Sequence, residues 1–392
     1  MKTWESIQPN IQRAQRQFAL LGVLALSVSA TTLGFNPTQF FRSYLFGYVF
    51  WIGIPLGAMA LLMLHNLTGG GWGNPIRRVA EACTRTFPVM ALLFIPLFFG
   101  LPRLFPWARP EEVAADPLLQ YKRPYLNTSF FTVRVLIYFA VWLTLAYFLN
   151  RWSRQQDETG DPAIEDRMEE ISGPGLILYG LTVTFASIDW VMSLEPHWYS
   201  TIYGMIFMIV ECMTAMAFMI VVGRLLAESE PLASAVSPSN WQDVGNLLLA
   251  FVMLWAYLSF AQFLLIWATN LKDEIPWYLS RVQTSWGVLA MILVVFHFVT
   301  PFLLLLFRGI KKRMRLLGRV GAGLLVVSLL DVYWLVMPAF ERAGPRIHPT
   351  DLTAPIGIGA IWLAAFLWQL QARPLVPRQL AVSLERAAEH GD

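Results

Sequence analysis

The chain has 392 residues, of which 56% are hydrophobic and 14% charged, and carries a net charge of +3. That composition excludes an ordinary soluble domain of this length, and with no run of lysines the sequence offers no surface for nucleic acid. Two cysteines, Cys83 and Cys212, with no CxxC and no Cys/His cluster, exclude a zinc or iron–sulfur centre built by this chain alone.

The opening stretch MKTWESIQPNIQRAQRQ is amphiphilic and delays the first apolar run to Phe18, unlike the short charged start of a cleavable signal. The first run is therefore read as a true span. Ten spans follow in chain order: 18–34, 43–65, 85–102, 127–149, 174–193, 199–226, 243–269, 277–307, 316–338 and 354–371. Each is long enough, or nearly so, to cross about 30 Å of hydrocarbon as a helix. Proline and glycine punctuate the boundaries, as in LTGGGWGNP and LPRLFPWARP. The predicted fold is an all-α polytopic membrane protein.

Basic residues set the orientation. With a cytoplasmic N-terminus, 18 Lys and Arg residues fall on the inner segments, Arg378 and Arg386 of the tail among them, against 8 on the outer ones. Both termini are expected in the cytoplasm. FGYVFWIGIPLGAMALLML from Phe46 and YGMIFMIVECMTAMAFMIV from Tyr203 align at a constant offset of 157, matching Gly47 with Gly204 and Phe50 with Phe207. Their spans lie four apart, an even number, so the copies share one orientation. The expected organisation is an N-terminal segment with the first span (1–42), two pseudo-repeated four-helix bundles (43–193 and 199–338), and a last span with a cytoplasmic tail (339–392), the first and last spans being peripheral.

Ionisable residues within spans are costly and face a partner, a cavity or a pathway. Arg134 and Asp189 lie toward the outer ends of the fourth and fifth spans, Arg281 and Asp331 toward those of the eighth and ninth. Two equivalent ion pairs are expected, Arg134 with Asp189 and Arg281 with Asp331, whose simplest role is to lock helices together. Glu211 lies mid-span with no basic residue within a turn, on a side that also carries Gly204, Thr214 and Ala215. A proton relay and a buried hydrogen-bonded acid are the two roles open to it. His297 lies deep in the eighth span with no second ligand at helical spacing, and His65 is poorly matched to it in depth, which argues against a haem. On the ninth span Gly321, Ser328 and Asp331 share one side. A discontinuous relay is expected from Asp331 and Arg281 near the outer face, through Glu211 midway, to His297 further in. Outside the spans, Glu195 and His197 in the turn after the fifth, and Lys272, Asp273 and Glu274 in NLKDEIPWYLSR, form a polar outer surface suited to docking a partner.

FASIDWVMSLEPHWYSTIYGM and WATNLKDEIPWYLSRVQTSWG together resemble the ActF subunits of bacterial alternative complex III, members of the NrfD-like membrane family. The first motif is highly specific. The second departs from the pattern expected of relatives, where Gly-Asn-Leu-Pro-Glu-Glu stands in place of Thr269, Asn270, Leu271, Lys272, Asp273 and Glu274. The resemblance implies two four-helix bundles with flanking helices in a quinol:electron acceptor oxidoreductase of respiratory or photosynthetic electron transport. It implies a subunit with no redox cofactor of its own, beside a quinol-oxidising ActC-like membrane subunit and below periplasmic multihaem cytochrome and iron–sulfur subunits. Haem c and iron–sulfur clusters would sit in those partners, with lipids around the chain, while a quinone site and a proton path are attributed to the family. Two other readings of the residues stand beside it, a purely structural membrane anchor and a secondary transporter. Pro55 interrupts the second span, but its counterpart in the repeat is Cys212, and this asymmetry counts against the transporter.

Overall fold

A computed structural model describes residues 2–227, 229–230 and 232–376. Arg378 and Arg386, and with them most of the expected tail, lie outside the described residues. The chain is a multi-pass helical membrane protein: among the described residues, ten helices are long and apolar enough to cross a bilayer. They are spans one (Trp4–Gly34), two (Pro37–Thr68), three (Phe87–Leu104), four (Thr128–Thr159), five (Ala163–Leu194), six (Tyr203–Leu226), seven (Pro238–Thr269), eight (Trp286–Leu306), nine (Met314–Ala339) and ten (Thr350–Gln371). An even number of crossings returns the chain to the side of its N-terminus, here called the near side. The only extended pairing among the described residues is a two-residue parallel match of Lys2–Thr3 with Ser229–Glu230.

Local chemistry explains where the helices begin and end. Asn36 caps span two by accepting from the Gln39 amide, with Pro37 in the first turn, and Asn127 does the same for span four through the Phe130 amide. Ser237 and Asn240 form a reciprocal capping box at span seven. Gly160 and Asn270 close spans four and seven in the left-handed conformation. Several helices run well past the apolar runs that define them. Spans two, four and seven each have 32 residues, about 48 Å at 1.5 Å per residue, so their polar turns project beyond the hydrocarbon. Once a helix is nucleated, each further residue adds a backbone hydrogen bond, and polarity alone does not stop it.

Span eight is the exception to a continuous reading. Residues 277–307 do not form one helix: Ile275–Val282 is a separate short helix, and the span starts afresh at Trp286. Its core then widens into a π-helical segment, Val294–Val299. Pro301 has no amide hydrogen to give the His297 carbonyl four residues earlier, and the widened turn sits where that bond is missing.

Spans two and six form the axis of the molecule. The most apolar window of span two is 94% buried and that of span six 78%, against 17% for span one and 22% for span eight. The two segments related by the offset of 157 pack on one another, and span two also packs on spans five and ten. Span ten in turn carries span one, so the two flanking helices pair. Close crossings are made at glycine. A Cβ on Gly22 would strike Ile361, one on Gly357 would strike Leu26, and one on Gly47 would strike Pro355. In lipid, where there is no water to expel between helices, such backbone approach is the main source of packing energy.

Candidate functional site

The far ends of spans four and five hold the first expected pair. Arg134 meets Asp189 in a two-pronged contact, Nε to Oδ2 and Nη2 to Oδ1, both at 2.8 Å. Tyr138 donates to the same carboxylate at 2.7 Å, and the remaining guanidinium arm donates to the Tyr125 carbonyl at 2.8 Å. The Tyr125 and Phe130 rings cover the guanidinium at 3.8 and 4.5 Å. Both charged groups of this cluster are fully engaged, the condition under which a buried pair holds helices together, while the Tyr125 hydroxyl is buried without a partner among the described residues.

The second expected pair is not formed. Arg281 donates to Glu195 at 2.6 Å and lies 3.7 Å over the Trp277 ring, with its backbone on the short helix Ile275–Val282. The reason is the helix break: a continuous span eight would have placed Arg281 beside span nine, whereas the break sets it in the far-side loop next to the turn that carries Glu195. Trp198 stacks on Trp277 at 4.4 Å, completing an aromatic nest around the guanidinium. Arg281 Nε, Trp198 Nε1 and Trp334 Nε1 are buried there without an acceptor.

Asp331 is engaged from the other side. Trp255 of span seven donates to its Oδ2 at 3.2 Å, and His297 Nδ1 faces the same oxygen at 3.8 Å. The other ring nitrogen of His297 is 3.1 Å from the Ser328 hydroxyl, and the ring packs 4.5 Å from Trp255. A separation of 3.8 Å is too long for a hydrogen bond, and His297 Nδ1 is buried with no partner. The π-helical turn re-aims His297 into the seam between spans seven and nine. Tyr203, at the start of span six, packs edge-on against Trp198 at 5.4 Å, on the margin of the Arg281 cluster.

Glu211 accepts from the Tyr179 hydroxyl of span five at 2.9 Å. Its backbone lies against Gly57, whose missing side chain leaves the space, and Gly53 faces its Cγ. The contacts of span six with span nine, Gly318 on Arg224 and Gly321 on Ala217 and Ile220, run antiparallel and carry Glu211 to the level of about residues 327–331. Glu211 and Asp331 therefore stand at similar depth on opposite sides of span six, and His297, against Asp331, shares that level. The stepped order expected from outer face to interior, Asp331 then Glu211 then His297, is replaced by one mid-depth layer.

Of the docking candidates, His197 pairs with Asp116 at 2.8 Å, and Lys122 donates to the Pro196 carbonyl at 2.6 Å, tying the turn after span five to the long loop before span four. Glu195 is drawn inward to Arg281. Lys272 and Asp273 are exposed, Glu274 is half-buried at the start of the short helix, and none of the three has an ion pair among the described residues.

Two buried polar clusters carried no expectation. On the near side, fully buried Glu81 accepts from Arg78 at 2.7 Å, Arg77 at 3.2 Å, Arg373 at 3.4 Å and the Ser153 hydroxyl at 2.6 Å. Burial alone would raise its pKa, but the three guanidiniums overcome that and hold the carboxyl well below the usual range. Arg85, whose acceptors Gln369 and Asn150 are neutral, is lowered to about 10 by burial, with Arg373 beside it adding to the shift. On the far side, Asp351 of span ten accepts from Ser43 at 2.6 Å, Gln39 at 3.0 Å and the His348 amide at 2.8 Å. An acid among the arginines at 77–85, and another in the first turn of a span, were the available signals. Tyr179, Tyr203 and Trp255 gave none, because aromatic residues are common in every span.

Among the described residues no group of three or more His, Cys, Asp or Glu side chains is placed to hold a metal ion. Comparison with protein-family models and with curated proteins finds no match to this chain.

Proposed function

We propose that this chain is a membrane subunit of a quinol:electron acceptor oxidoreductase of the alternative complex III type, which carries no redox centre and supports a proton path beside an ActC-like partner. The observation that supports the path is the His297 site. A buried imidazole with one nitrogen on Ser328 and the other, unpartnered, 3.8 Å from Asp331 is a proton carrier set one small displacement from its acceptor. Rotation of either side chain by a few tenths of an ångström to about an ångström brings the pair within hydrogen-bonding distance. The Arg281–Glu195 pair, with Tyr203 packed on the neighbouring Trp198, lies farther toward the far side, and Glu211 with Tyr179 forms a second acid site. In this reading electron transfer takes place in haem c and iron–sulfur partner subunits, the far side faces the periplasm, and quinol is oxidised in the neighbouring membrane subunit.

The test is proton translocation and turnover of the purified complex reconstituted in vesicles, comparing His297→Ala, Asp331→Asn and Glu211→Gln with the parent. Loss of proton stoichiometry with assembly intact is the expected result, and unchanged stoichiometry in all three refutes the path. The anchor reading draws support from Arg134–Asp189, whose groups are saturated and leave nothing free for transport. Variants that change stability but never turnover select it.

A further inference from the structure

At the near-side ends of spans one and ten, a cleft of about 440 Å³ is lined by Gln12, Gln15, Arg16, Trp368, Gln371 and Ala372. The chemistry of this lining is specific. Arg16 is an exposed guanidinium with no ion pair among the described residues, and the lining contains no acid. Gln371 donates through its amide nitrogen to the Gln15 side-chain oxygen at 3.1 Å and to the Leu367 carbonyl at 2.9 Å. That fixes the Gln15 amide with its oxygen occupied, leaving its NH2 as donor, and the Gln12 amide has no partner among the described residues. Trp368 is 61% exposed at the end of span ten, the level at which an indole bridges hydrocarbon and water.

An exposed apolar strip of span one continues from the Arg16 side of the cleft. One and two turns deeper on the side of Arg16, Leu20 and Val23 are 66% and 58% exposed, in a span that otherwise packs only through its opposite face onto span ten. A cation with free amide donors, a rim indole and an apolar track leading into the membrane are the parts needed to hold one phosphate and the chain attached to it.

We propose that this cleft is a binding site for an anionic phospholipid of the near-side leaflet, its phosphate on Arg16 with the Gln12 and Gln15 amides, its glycerol backbone against Trp368, and an acyl chain along Leu20 and Val23. Arg16 supplies charge and a fork that matches phosphate geometry, which a neutral quinone headgroup would not use. The site is independent of the proton path, and its failure leaves the reading of His297 and Asp331 untouched.

The experiment is native mass spectrometry of the full chain in mild detergent, titrated with phosphatidylglycerol or phosphatidylcholine. Phosphatidylglycerol should bind preferentially, and Arg16→Gln should cut that preference about fivefold, the effect of one basic residue at an anionic surface. Arg308→Gln, an exposed near-side arginine outside the cleft, should leave it unchanged, and Trp368→Ala should weaken both lipids. Equal binding of the two lipids overturns the proposal, as does an Arg308→Gln effect equal to that of Arg16→Gln. Displacement of phosphatidylglycerol by inorganic phosphate at matched concentration also overturns it, by marking a free-anion site in place of a lipid site.

Discussion

Gly57 of span two lies directly against the backbone of Glu211 in span six, so that a Cβ on the glycine would land on the Glu211 carbonyl oxygen. The contact is backbone to backbone, and no flexible side chain can move aside. It fixes the distance between the two most buried helices and the position of the acid between them.

Gly57→Ala is therefore expected to destabilise by about 1–3 kcal/mol or more through overpacking, read as a lowered thermal aggregation temperature in detergent. Gly323→Ala, where nothing lies within 4 Å of the added methyl group, should stabilise by about 0.5–1 kcal/mol from helix propensity. The same substitution on two helices thus takes opposite signs.

Removing one partner of Arg134–Asp189 leaves the other buried and unpaired. Arg134→Gln and Asp189→Asn should each cost about 3–5 kcal/mol, measured as loss of folded protein recovered after mild heating. Tyr138→Phe removes only a donated hydrogen bond to a charged group and should cost about 1.5–3 kcal/mol.

Double-mutant cycles decide the partner of Arg281. Arg281→Gln with Glu195→Gln should show a coupling of about 1 kcal/mol or more, and Arg281→Gln with Asp331→Asn a smaller one, from denaturation of the chain in detergent. Equal couplings would restore the Arg281–Asp331 pair.

Glu81 makes stability pH-dependent. Its carboxyl is held below the range of an unfolded glutamate by Arg78, Arg77 and Arg373, so its contribution is fully present above about pH 4.3 and is lost as pH falls below that. Glu81→Gln should lower stability at neutral pH by about 3–5 kcal/mol, and the parent and variant curves should converge on acidification. Parallel curves would show that the three arginines do not depend on this acid.

The number of spans was legible because each apolar run is bounded by turn residues, and Arg134 with Asp189 was legible because single charges in apolar helices must find each other. Helix ends were not, since spans four and five continue for about ten residues through polar sequence that hydropathy excludes. Arg281 was misassigned because nothing in RVQTSWG announces the break that moves it to Glu195. The π-helical turn at His297 had one sign in the sequence, Pro301, which alone is also compatible with an ordinary kink. Asp351 escaped notice because its partners Gln39 and Ser43 are about 300 residues away in sequence, and Glu81 because, beside Arg77 and Arg78 at helical spacing, it reads as an ordinary surface pair until Ser153 and Arg373 close over it.

Span two has the same long-range dependence as a whole. Trp51 donates to the Pro355 carbonyl of span ten, 304 residues later, and Gln39 and Ser43 meet Asp351 across a similar interval. At about 5–20 residues per second of synthesis, span two waits about 15–60 s between its own emergence and that of its final neighbour. During that interval Gln39 and Ser43 can satisfy only each other, one turn apart in the same helix, while the Trp51 indole has no native acceptor, so an early span of the nascent chain carries polar groups whose final partners are the last to be made.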